Sequence, residues 1–428
     1  MNPAGPTGAD TPGPLQAGRV LPQRAAPAVV DGVAIDEAAV TRARLARLRA
    51  EMAARDLDAV VLLDPVNLRF ATGTRNMQIF TARNPARYAL VPVEGPVTVY
   101  EFHGAGHLAA AGPVVDRVCE ATTVSYVAAG DHRDDKARAW ARELAAAIRE
   151  AVPEARRIGI EPVQHLAAEA LAAEGFVLCD AQEPVERARA RKTDAEIAMM
   201  KASLRVVEKG VHALRDAIRP GASENQVWAE LHRSVIADDA DYVETRLLNS
   251  GPRTNPWYQE SSPRVIEANE LVALDTDVVG PYGIYADFSR TFFSGPGKPS
   301  DEQRRLYRTA WEQIHHDVEL VKAGRSSREI AEAAWPVPDE FWERRYFVLM
   351  HSVGLTGEYP YILHGRDMQD HGYDAVLEEN MTLCVEAYIG GAQGGEGVKL
   401  EQQVRVTRDG YELLSAFPFE DELLSREV

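Results

Sequence analysis

Residues 273–293 read ALDTDVVGPYGIYADFSRTFF and place Asp275, Asp277 and Asp287 in a stretch that is otherwise apolar and strand-like. An ionised carboxylate is expensive to bury without a partner, so these three call for something positive opposite them. Side chains alternate faces along a strand, which puts Asp275 and Asp277 on one side. The GPYG segment, 280–283, is a turn that folds the next strand back and returns Asp287 to the same face. Three further ionisable residues lie in strand-like segments: His351 alone in FVLMHSVGL, Glu386 alone in LCVEAYI, and Glu401 in VKLEQQVRV. Any one of these alone is more often a member of an ion pair. Together, Asp277, Asp287, His351, Glu386 and Glu401 are a set of oxygen ligands with one imidazole, which suits one or two divalent transition metals. The expected partner of the aspartates is therefore a metal centre.

The chain of 428 residues is 45% hydrophobic and 26% charged, an ordinary globular composition, and is long enough for two domains or one large one. Its formal net charge of -18 repels nucleic acid and anionic membrane surfaces. A small molecule or a cation is the expected partner. No apolar run approaches the roughly 18 residues needed to span a bilayer, and no basic region followed by an apolar stretch opens the chain, so the sequence reads as cytoplasmic. Cys119, Cys179 and Cys384 are odd in number and far apart, which gives neither a disulfide framework nor a zinc-type pair. They are expected to be small buried hydrophobes.

Residues 1–30, rich in Pro, Gly and Ala, read as a mobile arm. From Asp36, DEAAVTRARLARLRAEMAARD sets Val40, Ala43, Leu45, Leu48 and Met52 on one helical stripe, and LDAVVLLD follows as a buried strand. ARYALVPV, PVTVYEF and RIGIEP read as further strands and KARAWARELAAAIREAV as an amphipathic helix, giving an α/β domain over 31–185 that frames a site without supplying its chemistry. From 186 the pattern changes to long helices, the first capped by Thr193 or Asp194, followed by strands dense in polar residues. The fold class is α/β (α+β), with a metal-binding catalytic domain over 186–428.

The order Asp, Asp, His, Glu, Glu at Asp277, Asp287, His351, Glu386 and Glu401, with the entry helix ARKTDAEIAMMK, resembles the pita-bread fold of methionine aminopeptidase, prolidase and creatinase. The resemblance covers residues 36–425, including a creatinase-like N-terminal domain. NMQIFTARNPARY, ETRLLNSGPRTNPW, the extra Asp275 and VKLEQQVRVTRDGYE are similar to the branch that contains dimethylsulfoniopropionate lyases. The resemblance implies that Asp275 also meets the metals, that these are iron before manganese or zinc, and that Tyr346 contacts substrate. It also implies a homodimer in which the region Met77 to Arg87 of one subunit borders the active site of the other.

Departures narrow the reading. HSVGLTGEYP lacks the second histidine of the family's peptidases, and SGPRTNPWYQ lacks their substrate-binding histidine, which argues against peptide hydrolysis. The lyases carry a catalytic aspartate six residues after the ligand histidine, where this chain has Gly357. A general base contributes typically about 100- to 10,000-fold, so Tyr346, Glu358 and Asp367 are the candidates to replace it, with Tyr359 and His364 behind them. A metal-activated water would serve instead if the reaction were hydrolysis. Trp257, Tyr258, Trp335, Trp342 and Tyr346 are candidate walls of a cage for a sulfonium or ammonium group, and Arg253 a candidate carboxylate clamp. Arg290 reads as a structural partner of a ligand carboxylate. The reading is a metal-dependent enzyme on a small zwitterionic carboxylate, a lyase in type. A hydrolase of a C–N bond in a small solute or dipeptide is the first alternative, and a non-catalytic binding protein the second.

Overall fold

The structure is a computed structural model and describes residues 28–424; most of the arm expected over 1–30 lies outside the described residues. The described residues divide into two compact units, one over Glu37–Ala188 and the other from Arg189 onward together with residues 28–36. The sequence boundary at 185/186 differs slightly, because the helix Gln182–Ala190 runs through it. Residues 28–36 join the second unit because the hairpin Val29–Val30 and Val33–Ala34 packs on the helix Asp194–Ala217, where Asp31 pairs with Lys201 at 3.5 Å and with Arg205.

The first unit is built on a six-stranded sheet, in the order Arg117–Glu120, Thr98–Glu101, Tyr88–Pro92, Ala59–Leu62, Arg157–Ile160, Val177–Asp180. The two pairings at Tyr88–Pro92 are antiparallel and the other three parallel. The helix Arg133–Ala151 covers one face with Trp140, Leu144 and Ile148, which pack against Tyr88 and Tyr100. Its apolar residues recur at helical spacing, so one face is buried and the other solvated.

The second unit opens with the helix Asp194–Ala217, which starts at a reciprocal cap: Glu196 N–H donates to Thr193 Oγ1 at 3.2 Å, and Thr193 N–H donates to the Glu196 carboxylate at 2.9 Å. Ser223 and Gln226 repeat the device at the helix Glu224–Ala237. Gly210 lets the two helices approach closely, since a Cβ there would stand 2.8 Å from both Leu231 and Val235. Beyond them lie a three-stranded antiparallel sheet, Leu248–Ser250, Leu271–Asp275 and Ser289–Phe293, and a five-stranded antiparallel sheet. The latter runs Gly357–Leu363, Val348–Val353, Thr382–Gly390, Gly397–Val406, Tyr411–Leu413. Strand Ser289–Phe293 packs on strand Gly397–Val406, which brings the aspartates of one sheet to the histidine and glutamates of the other.

Candidate metal centre

Asp275 ends the strand Leu271–Asp275, and Asp277 lies two residues beyond it in a left-handed conformation, φ 42. Strand alternation is therefore not what orients Asp277; a tight turn is. Val278–Val279 then pairs with Tyr285–Ala286 around the turn at 280–283, and Asp287 follows. The fold-back expected from GPYG is present, and donor oxygens of Asp275, Asp277 and Asp287 lie within 4.8 Å of one another. Asp277 accepts from Tyr285 Oη at 2.8 Å and from Thr245 Oγ1. The N–H of Asp287 donates to Gln403 Oε1 at 3.0 Å.

On the five-stranded sheet, His351, Glu386 and Glu401 occupy adjacent strands, and Glu386 stands directly across from Glu401. His351 Nδ1 is 3.0 Å from the Ser352 carbonyl, which fixes the proton there and turns Nε2 toward the carboxylates. Nε2 lies 3.1 Å from Glu386, 3.6 Å from Asp287 and 3.8 Å from Glu401. Donor atoms of Asp287, His351, Cys384 and Glu401 form a second group within 4.8 Å, sharing Asp287 with the first. All six expected ligands are thus brought to one place.

The electrostatics follow from burying so many acids together. Burial, reinforced by Asp275, pushes Asp277 up to about 7. Burial and then the charge of Glu401 hold Asp287 well above the usual carboxylate range, and burial and then Glu386 do the same to Glu401. Burial alone would raise Glu386 too, but Lys399 and His351 hold it below its ordinary value. Burial opposes the charged form of His351, yet its hydrogen bond to Glu386 leaves it above its ordinary value. Glu401 Oε1 is buried with no hydrogen-bond partner among the described residues. A divalent cation relieves each of these costs at once, and the donor set of carboxylates and one imidazole fits such an ion.

Lys399 is a residue that sequence reading missed. Fully buried, its ammonium donates to Ser289 Oγ at 2.8 Å and to Glu386, and lies 3.2 Å from Glu401 and 3.3 Å from Asp275. The signal was present: Lys399 is two residues from Glu401, so alternation puts both on one face of a buried strand. Tyr361 was missed as well. A register break between His351 and Ser352 pairs His351 with Tyr361, placing that ring 5.7 Å from the imidazole. Tyr361, with Tyr346 and Phe347, borders a cavity of ≈ 260 Å³ lined by Asp275, Asp277, Asp287, His351, Gly357 and Glu386 among others; Lys399 is not in its lining and contacts it through Asp275 and Glu386.

Other candidates go elsewhere. Glu358 is buried on the opposite side of its strand, accepting from Arg189 at 2.8 Å, Lys192 at 2.8 Å and the Leu355 N–H at 2.8 Å. The expectation that it replaces the missing base fails on this placement. Asp367 likewise does not reach the cavity: it is held bidentately by Arg345, at 2.6 and 3.0 Å. His364 is buried against the Tyr346 carbonyl at 3.0 Å, and burial pulls it down to about 4. Arg253 does not point at the cavity either; it pairs with Glu224 and donates to the Glu260 carbonyl at 2.9 Å. Trp335 packs in the main core, and Trp342 lies between Arg345 and Arg366, 4.0 and 4.4 Å from its ring. Trp257 packs on Tyr388 in the floor beneath Lys399, while Tyr258 stacks 5.4 Å from Tyr346. Arg290 supports the site through backbone: it donates to the carbonyl of Glu401 at 2.7 Å, to Gln402 Oε1 at 2.8 Å and to the carbonyls of Phe417 and Pro418. Cys384 is buried and faces the cluster, whereas Cys119 and Cys179 are half-buried.

The Creatinase/Prolidase N-terminal domain family matches residues 44–191, and Metallopeptidase family M24 matches residues 198–408. Dimethylsulfoniopropionate lyase DddP of Roseovarius nubinhibens is 36% identical over 385 residues, 89% of this chain and 86% of that protein. The chain belongs to metallopeptidase family M24. Within M24, DddP of Roseobacter denitrificans is 35% identical over 397 residues, 92% of this chain and 89% of its own length. A Lactobacillus helveticus Xaa-Pro dipeptidase is 28% identical over 239 residues, 54% of this chain and 61% of that one. The pita-bread fold is shared with a solved Xaa-Pro dipeptidase from Bacillus anthracis, with a TM-score of 0.72 at 22% identity over 89% of this chain and 99% of that one. As an M24 protein with grouped side chains able to hold a metal ion, the chain is a metal-dependent enzyme.

Proposed function

We propose that this enzyme is a lyase acting on a small zwitterion with a carboxylate at one end and a sulfonium at the other. Dimethylsulfoniopropionate is the type substrate, cleaved at its carbon–sulfur bond to dimethyl sulfide and acrylate. One observation carries this reading: a row of aromatic rings stands beside the ligand cluster. Tyr258, Tyr346, Phe347 and Tyr361 follow one another with ring centroids 5.4, 5.8 and 6.3 Å apart. Ring faces attract a methylated cation, each contact being worth about 0.5 to 2 kcal/mol. Divalent ions take a carboxylate as a ligand and a methylated cation not at all, so a zwitterion is oriented with its carboxylate inward and its onium group on the rings. Likeness to two dimethylsulfoniopropionate lyases over most of the chain supports the reaction type.

Asp275, Asp277, Asp287, His351, Glu386 and Glu401 would hold one or two divalent ions, with iron the metal that the resemblance favours. When bound, such ions polarise the substrate carboxylate as Lewis acids and so acidify the neighbouring C–H. Tyr346, half-buried beside Phe347, contacts the substrate, and Tyr258 stands 5.4 Å from it. In the elimination a proton leaves the carbon next to the carboxylate, its electron pair forms the double bond, and the C–S pair departs with sulfur. No carboxylate stands at Gly357 to take that proton, so the wild-type elimination is slow. Gly357 is also the observation that favours a second reading, hydrolysis of a C–N bond in a small solute.

The reading includes a cytoplasmic homodimer in which the Met77–Arg87 region borders the partner's cavity; the exposure of Met77, Ile79 and Phe80, at 53, 52 and 47%, supports such a contact. The deciding experiment supplies the protein with iron, manganese or zinc in turn and offers it dimethylsulfoniopropionate, betaines, cyclic amidines and dipeptides. Metal-dependent dimethyl sulfide supports the lyase. Turnover confined to C–N substrates replaces it with the hydrolase.

A further inference from the structure

The ligand cluster contains a cation of its own. We infer that Lys399 is a built-in counter-ion of the metal centre: it holds the metal-free site together and competes with the second metal ion for its carboxylates. The inference rests on the metal-dependent reading above.

The geometry is specific to charge sharing. The ammonium contacts one oxygen each of Asp275, Glu386 and Glu401. The other oxygens differ: Glu386 Oε1 faces His351, Asp275 Oδ1 accepts from the Thr276 N–H at 3.1 Å, and Glu401 Oε1 has no hydrogen-bond partner among the described residues. Lys399 cannot swing into solvent, because it is fully buried, with Ser289 Oγ at 2.8 Å and the Tyr346 ring centroid at 4.6 Å completing its seat. With metal bound and all five carboxylates ionised, one ammonium leaves four negative charges, which two divalent ions neutralise. Without Lys399 the same loaded site would keep one net negative charge.

Each of the two overlapping donor groups shares one carboxylate with this cation, Glu401 at 3.2 Å and Asp275 at 3.3 Å, but they keep different second oxygens. The group of Asp287, His351, Cys384 and Glu401 contains a neutral-capable imidazole and the unpartnered Glu401 Oε1. The group of Asp275, Asp277 and Asp287 has no such oxygen on Asp275, whose Oδ1 already accepts from the Thr276 N–H at 3.1 Å. An ion entering there shares Asp275 with the ammonium and feels its repulsion after the first ion has already cancelled half of the negative charge. Lys399 thus acts through the ligands and is a positioning residue, with no substrate contact.

The test uses the full chain, stripped with chelator and titrated with manganese(II) chloride by calorimetry, with bound manganese counted by elemental analysis and melting followed in parallel. Wild type, Lys399→Met and Lys399→Arg are compared. Lys399→Met should melt lower than wild type when metal-free, and should bind the weaker ion at least about tenfold more tightly, since one repelling charge a few ångströms away has gone. Lys399→Arg, which keeps the charge, should stay near wild type in both measurements. If Lys399→Met does not fold without metal, Lys399→Gln takes its place in the titration. Unchanged or weaker binding of the second ion in the neutral variant, or an unchanged metal-free melting temperature, overturns the inference alone. A wild-type protein that binds no manganese overturns the metal reading with it.

Discussion

Replacing Gly357 with aspartate should convert a slow dimethylsulfoniopropionate lyase into a faster one. Gly357 is not in the left-handed region, and a Cβ added there meets only Tyr361 Oη at 3.4 Å and His351 Nδ1 at 4.0 Å, both ordinary contacts. The backbone therefore accepts the side chain without moving, and the new carboxylate enters a cavity already lined by His351 and Tyr361. A well-placed general base gives about 100- to 10,000-fold. The Tyr361 hydroxyl, so close to the new Cβ, would hydrogen-bond the carboxylate and lower its basicity, which consumes part of that range. A gain of at least about tenfold in kcat is what remains. Dimethyl sulfide is measured in the headspace by gas chromatography at saturating metal, with Gly357→Asn as the isosteric control that has no base. Wild-type turnover already at roughly 1 to 1,000 per second would falsify the reasoning, and so would a folded, metal-loaded Gly357→Asp enzyme no faster than Gly357→Asn.

Three further outcomes are expected. His351→Ala should lose at least one equivalent of bound metal and its activity while circular dichroism stays native, because the imidazole faces three carboxylates and carries little of the core; full metal retention would contradict its role. Glu358→Gln should leave metal content unchanged but cost about 3–5 kcal/mol of stability, seen as a lower unfolding midpoint in urea, because it leaves Arg189 and Lys192 buried without their counter-charge. The metal-free protein should lose stability as pH rises from about 4 to 7, since Asp277 is raised from 3.8 to about 7: the contribution of such a group is complete below 3.8 and is gone once pH has passed through about 7. His351, also raised, acts in the same direction, and saturating metal should flatten the dependence, which thermal melts at several pH values would show.

The centre was legible in sequence because its ligands violate their surroundings. An acid or imidazole inside an apolar strand stands out whatever the fold, and Asp287, His351, Glu386 and Glu401 each do so. Asp277 was found by an argument that does not apply to it, since the chain leaves the strand at Asp275 and a left-handed turn does what alternation was expected to do. Glu358 was misplaced for a related reason: its neighbourhood to Gly357 is visible in sequence, but the ion pair with Arg189 and Lys192 depends on residues more than 160 positions away, at separations of 169 and 166. Tyr361 could not be found at all, because only the break in register sets it opposite His351. Of the rings named for the cage, Tyr258 and Tyr346 pack together beside the cluster, whereas Trp342 is flanked by two arginines, and the exposed Phe347 was not among those named.

Arg290 ties the carbonyl of Glu401 to those of Phe417 and Pro418, so the strand bearing a ligand is fastened by residues that follow it. During synthesis on the ribosome, Asp275 through His351 emerge well before this clasp can close. A nascent chain therefore cannot fasten the strand of Glu401 until Phe417 and Pro418 have emerged, and a half-built site offers an ion only the residues that come before them. A stop codon placed just before Phe417 would leave every ligand in the polypeptide and still yield an enzyme whose last glutamate has no fixed seat.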